Sequence, residues 1–134
     1  MNNHTQIFVN LPVKNLDRAI GFFTGLGLTL NPEYTDQNAA CMVISEKIFV
    51  MLLTEEFFKT FAKKEIVNAA KSTEAIVALS MESREEVNEI ADKALKTGGK
   101  ISGDPMDHGW MYSRSFEDPD GHLWEVFYMD PQKK

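Results

Sequence analysis

The chain has 134 residues, 14 basic against 20 acidic side chains for a formal net charge of -6, and one cysteine. That length buries a substantial core but does not comfortably divide into independent domains, so a single domain over residues 1–134 is expected. The acidic balance argues against nucleic acid as a partner, because binders of phosphate backbones concentrate positive charge. No window approaches the roughly 20 apolar residues that span a bilayer, and MNNHTQIFVN has no basic segment leading into an apolar core, so a soluble cytoplasmic protein without a membrane partner is expected.

Ile7 to Val13 reads as a strand, with Pro12 near its end fitting an edge or terminus. Asn15 is a good N-cap for a helix carrying Leu16, Ile20 and Phe23 on one side, and Gly25 and Gly27 end it. Three short strands follow at Leu28–Leu30, Ala39–Ile44 and Ile48–Leu53, the last two separated by Ser45-Glu46-Lys47. Thr54 can cap a short helix with Phe57, Phe58 and Phe61 on its face, and residues 63–72 read as a linker.

The ground plan then returns. Glu74–Met81 is strand-like. Ser83 caps a helix over Arg84–Lys96, with Glu86 in a capping-box position and Val87, Ile90, Ala91 and Leu95 as its apolar stripe. Thr97-Gly98-Gly99 stops it. Lys100–Ser102, Trp110–Phe116 and His122–Met129 complete the copy, with Asp118-Pro119-Asp120-Gly121 forcing a tight turn between the last two. The expected fold class is α+β: two paired βαβββ modules, about residues 5–62 and 72–130, forming a cup-shaped mixed sheet with helices outside.

The segments LPVKNLDRAIGFFTGLGL, VALSMESREEVNEIADKALKTGG and FEDPDGHLWEVF resemble the vicinal oxygen chelate superfamily, which includes glyoxalase I, extradiol dioxygenases and the fosfomycin-resistance and bleomycin-resistance proteins. The resemblance covers nearly the whole chain. It implies a homodimer and a central pocket, and in the enzymes a divalent metal held by the first and fourth strands of each module. In this sequence those four positions fall at Phe8, Met51, Ile76 and Glu125, with Asn10 the nearest polar alternative on the first strand. Only Glu125 is competent as a ligand. Sites for zinc, iron or nickel need about three protein ligands, so no metal and no other cofactor are expected.

Glu125 alternates with Leu123 and Phe127 on a face that the resemblance turns toward the pocket. It reads as a structural partner for Arg114 or a backbone amide, as a ligand anchor, or as a general base. Alternation through Trp110-Met111-Tyr112-Ser113-Arg114 puts Trp110, Tyr112 and Arg114 together, as an aromatic wall and cationic anchor or as a core edge. His108 and Tyr112 join Glu125 as catalytic candidates, against the plainer reading of His108 as an exposed loop residue. Asn10, a polar amide in an apolar strand, reads as a structural hydrogen bonder or a pocket contact, and Cys41 as a small buried hydrophobe. The ligand-binding set is thus Asn10, Trp110, Tyr112, Arg114 and Glu125. The leading expectation is metal-independent binding of a small molecule, as the bleomycin-binding relatives imply by sequestering without turnover. The alternative is a metal-dependent lyase, isomerase or dioxygenase of the glyoxalase type with a divergent site.

Overall fold

The computed structural model describes residues 1–132 and divides into two compact units, Met1–Val67 and a second beginning at Asn68. The division falls inside the segment 63–72 that the sequence marks as a linker.

Unit one contains β1 (Ile7–Val13), α1 (Leu16–Gly25), β2 (Thr29–Asn31), a 3-10 turn at Pro32–Tyr34, β3 (Ala39–Ser45), β4 (Ile48–Thr54) and the short α2 (Glu55–Phe58). Unit two contains β5 (Ile76–Ser80), α3 (Arg84–Lys96), β6 (Lys100–Ile101), β7 (Met106–Asp107), β8 (Met111–Glu117) and β9 (Leu123–Met129). The first sheet has the order β1-β4-β3-β2, and the second has β5-β9-β8-β6 with β7 also on β8. In each, the first strand runs parallel to the fourth and the other pairs are antiparallel. The fold is therefore α+β, built from two βαβββ modules.

The repeat extends to the stereochemistry of the helix ends. The Asn15 side chain accepts from the Arg18 amide at 2.9 Å, and the Ser83 hydroxyl accepts from the Glu86 amide at 3.1 Å. The Glu86 carboxylate reaches back to the Glu82 N–H at 2.8 Å, one residue beyond the N-cap position of a standard capping box. Both helices stop in a Schellman arrangement: Leu28 N–H donates to Phe23 C=O and Gly99 N–H donates to Ala94 C=O, with Gly27 and Gly98 at positive φ.

Each module buries its own core. In unit one, Ala40, Met42, Val50 and Leu52 of the sheet and Ala19, Phe22 and Phe23 of α1 are buried. In unit two, Val87, Ala91 and Ala94 of α3 and Phe116, Trp124 and Val126 of the sheet are buried. Cys41 is buried as well, and burial pushes its thiol up, away from nucleophilic use. Among the described residues no helix is long and apolar enough to cross a membrane.

Two departures from the sequence reading affect where side chains point. The second strand of module two is broken into β6 and β7 by a segment containing Gly103, at φ 89°, and Pro105. Trp110 lies in the turn before β8, outside the strand, so strand alternation does not govern it. Gly109 at φ 81° and the bond from His108 N–H to Met111 C=O shape that turn.

The β8–β9 hairpin is held by the Asp118 carboxylate, which is 4% exposed. One oxygen accepts from the Asp120 and His122 amides at 2.9 and 3.0 Å, and the other accepts from the Trp124 indole N–H at 3.0 Å. Burial pushes this carboxyl above its ordinary range, while His122 and the three donors pull against that shift. Gly121 closes the turn at φ 92°, and a Cβ there would stand 2.9 Å from the Ala69 carbonyl and the Ala70 Cα.

Gly27 shares the positive φ but faces open space. Gly27→Ala should therefore cost about 1 kcal/mol, from backbone strain alone, and Gly121→Ala at least about 3 kcal/mol, from strain and overlap together. Urea denaturation of the two variants checks this, and equal losses would contradict the crowding at Gly121.

Candidate functional site

Residues paired laterally across a sheet point to the same face, so the registers sort the candidate residues. In unit two, Tyr112, Arg114 and Phe116 share a face with Tyr128, Val126 and Trp124, and α3 packs on β8 and β9. Met111, Ser113 and Ser115 share the other face with Met129, Phe127 and Glu125. Ala78 stands beside Glu125 on β5.

Tyr112 and Arg114 are therefore bound to the helix. The Tyr112 hydroxyl donates to Asn88 Oδ1 at 2.6 Å. Arg114 Nη1 donates to the same oxygen at 3.1 Å and to Asp92 Oδ1 at 2.9 Å. The Arg84 guanidinium lies 4.4 Å over the Tyr112 ring and forms an ion pair with Asp107. The Arg84 hydrogen bond first, and the Gly109 N–H second, hold the Asp107 carboxyl below its usual range. Arg84, Asn88 and Asp92 recur every four residues along α3, a polar stripe beside the apolar one. That spacing was the available signal for these partners, and the sequence reading did not use it. The structure thus places Arg114 with Asn88 and Asp92, and Glu125 on the opposite face of the sheet.

Trp110 and His108 sit on the exposed turn before β8, their rings 6.3 Å apart and inclined by 25°. They lie in the loop whose Asp107 pairs with Arg84. Within unit two, Tyr112 and Arg114 face α3, Trp110 is in a turn, and Glu125 lies opposite α3. Asn10 belongs to unit one.

Glu125 is partly buried, and its carboxylate has no hydrogen-bond or ion-pair partner among the described residues. Across the ladder stands Ser115, and along its own strand stand Leu123 and Phe127. Around them the same face carries Ile76, Met106 and Met129, which are 60, 49 and 50% exposed. It is a largely apolar surface into which Glu125, Ser80, Ser113 and Ser115 are set, with Glu117 and Lys100 paired at its far end.

The corresponding face of unit one lies opposite the Met42, Val50 and Leu52 core. Phe8, Asn10 and Pro12 of β1 share it with Phe49, Met51 and Leu53 of β4 and Cys41 of β3. The Phe8 and Phe49 rings stack at 4.6 Å, 12° from parallel, with Phe8 44% exposed. Asn10 donates a long bond, 3.4 Å, to the Phe8 carbonyl.

Phe8 stands two residues before the partner of Met51, as Ile76 stands two residues before the partner of Glu125. The four positions are thus equivalent by register, and each lies on the face turned away from its module's long helix. A phenyl ring, a thioether, a branched alkyl group and one carboxylate do not fit a divalent metal. Among the described residues no group of three or more His, Cys, Asp and Glu side chains could hold one.

The model of the Glyoxalase/Bleomycin resistance protein/Dioxygenase superfamily matches residues 3–126, and the chain belongs to that superfamily. A hypothetical protein from S. aureus has a similar structure, with TM-score 0.79 at 23% identity over 96% of this chain and 94% of that one. A glyoxalase/bleomycin resistance protein/dioxygenase family enzyme from Burkholderia phytofirmans gives 0.75 at 12% identity, over 91% and 96%. The fosfomycin resistance protein FosX from Mesorhizobium loti gives 0.68 at 16%, over 96% and 93%. At these identities the likeness establishes the fold. No curated protein matches the sequence.

The contacts on the α3 side predict a graded effect on stability. Asn88→Ala removes the acceptor of two side chains and should cost about 1–2 kcal/mol. Asp92→Asn removes one end of a pair whose carboxylate is 57% exposed, and should cost under about 1 kcal/mol. Chemical denaturation measures both, and the reverse order would contradict the assigned network.

Proposed function

We propose that this member of the superfamily binds a small molecule without a metal, on the sheet faces opposite the long helices. The observation that carries the reading is the side-chain chemistry at Phe8, Met51, Ile76 and Glu125. Where the superfamily's enzymes place ligands, these residues offer apolar and aromatic contact with a single anionic group. Ligand sites are characteristically apolar surfaces with a few polar groups that orient the bound molecule. On the face of unit two Glu125 takes that orienting role; on the face of unit one Asn10 takes it and the Phe8–Phe49 stack supplies aromatic contact. Tyr112 and Arg114 act by holding α3 on its sheet, which keeps β8 and β9 in the register that presents Glu125.

A metal-dependent lyase, isomerase or dioxygenase would require ligands that these faces do not hold. Catalysis by Glu125 with His108 or Tyr112 would require groups that point elsewhere to converge. The reading includes a homodimer in the cytoplasm. Its support is the superfamily resemblance together with β1 and β5 standing at the ends of their sheets' strand orders, where strand edges invite covering.

The test is metal content after purification without chelator, followed by titration with zinc, nickel, manganese and ferrous iron, alongside a thermal-shift screen of apolar small molecules. Far less than one metal per protomer is expected, with no tight uptake. A ligand at about 100 times its dissociation constant should stabilise the fold by about 2.7 kcal/mol. One tightly held metal per protomer would overturn the reading.

A further inference from the structure

The geometry points to a separate site in unit two for the carboxylate group of a small organic acid, in the cleft where the strand beside β8 is interrupted. It lies at the sheet edge on the α3 side, apart from the faces proposed above for the apolar ligand, and it stands or falls independently of that reading. Five residues line it: Ile101 at the end of β6, Gly103 and Pro105 of the segment joining β6 to β7, and Arg114 and Ser115 of β8. The space between them is about 220 Å3, part of it open to solvent.

The cleft follows from the register. Ile101 pairs with Phe116 and Met106 pairs with Ser113, so residues 102–105 span only positions 114 and 115 of β8. They bulge away from the ladder, and Gly103 at φ 89° supplies the bend. Along an antiparallel strand, alternate residues turn their backbone groups to the same neighbour. The Trp110 carbonyl accepts from the Asp130 N–H on the β9 side, and the Ser115 carbonyl accepts from the Ser102 N–H at 3.3 Å on the β6 side. The Ser115 N–H therefore also points to the β6 side, where no carbonyl of residues 102–105 accepts from it.

Arg114 adds a charge. Its Nη1 donates to Asn88 and to Asp92 on α3, whereas Nε and Nη2 make no hydrogen bond among the described residues. Nε and Nη2 form a planar edge that matches the two oxygens of a carboxylate. The side chain is only 18% exposed, so water competes weakly for that edge. The recognised set is thus donors on β8 set against the alkyl groups of Ile101 and Pro105.

The formal charge of -6 opposes anions at long range. Salt at 0.1 M screens charges beyond about 10 Å, whereas these donors act in contact. Asp92 offsets the charge of Arg114, and Asp104 in the bulge is exposed and lies outside the lining. That balance favours a singly charged carboxylate over a phosphate, whose second charge meets Asp92.

The probes are butyrate, its neutral counterpart butyramide, and inorganic phosphate, titrated at constant ionic strength and followed by the Arg114 Nε–H and Ser115 amide NMR signals. Butyrate should move both signals along one saturation curve and bind about tenfold more tightly than butyramide, with phosphate behind butyrate. Asp92→Asn removes the competing carboxylate and should tighten butyrate about threefold, while Arg114→Gln should abolish its binding. The apolar ligand proposed above should leave the Arg114 Nε–H unmoved, so the two sites report separately. Butyrate that moves neither signal, or butyramide that binds equally well, overturns the site. Phosphate binding more tightly than butyrate overturns the carboxylate class. Unchanged butyrate affinity in Asp92→Asn overturns the role of Arg114, and this outcome is read even if Arg114→Gln fails to fold.

Discussion

The turn at Asp118 is the constraint on which the arrangement of unit two depends. Its carboxylate gathers two turn amides and the indole N–H of Trp124, itself a core residue of β9. Hydrogen bonds to a charged acceptor contribute about 1.5–3 kcal/mol each. Against a desolvation cost of several kcal/mol for a buried ion, three donors are enough to keep the group in place. That fixes how β9 leaves the turn, and so fixes the pairing of Ser115 with Glu125. A slip of one residue would turn Glu125 toward α3 and place Trp124 on the other face. The position of Glu125 on the sheet surface is therefore a consequence of a structural aspartate seven residues earlier.

The two modules share strand order, parallel closure and helix termination, yet their corresponding faces differ in chemistry. Equivalent register positions hold Phe8 and Met51 in one module and Ile76 and Glu125 in the other. The β8–β9 turn is organised around a buried carboxylate, whereas the β3–β4 connection is a short turn beside a register shift between Val43 and Ser45. The fold asks only that these surface positions be compatible with a strand. It leaves their chemistry open, so that an aromatic stack stands on one module and a carboxylate on the other.

Much of this was legible in the sequence because the signals are local. Asn15, Thr54 and Ser83 cap the helices predicted for them, since capping depends on a side chain and an amide two or three residues apart. Glycine after each long helix marks its end for the same reason. The broken second strand of module two escaped because two residue pairs are too short to show alternation. Trp110 was assigned to a strand face because the loop read at His108 and Gly109 runs one residue further than the sequence indicated, so that β8 begins at Met111.

The site was harder to read because it depends on which face a helix covers. Alternation correctly separates Tyr112 and Arg114 from Ser113 and Ser115, but gives no indication of which set meets α3. The partners of Arg114 are 22 and 26 residues away, on a helix whose polar stripe looks like an ordinary solvated face until it is set against the sheet. Asp118 reads as a turn former, and its second role toward Trp124 becomes visible only when the indole is seen to fold back over the turn.

The central claim is that ligands meet the sheet surfaces turned away from the long helices. The direct measurement is a map of backbone amide NMR shifts on titration with a small molecule that stabilises the protein. The account predicts changes concentrated at Ser115, Glu125 and Phe127 and at Phe8 and Asn10, with Asn88, Asp92 and Arg114 unmoved. Changes centred on Tyr112, Arg114 and the α3 stripe would contradict it.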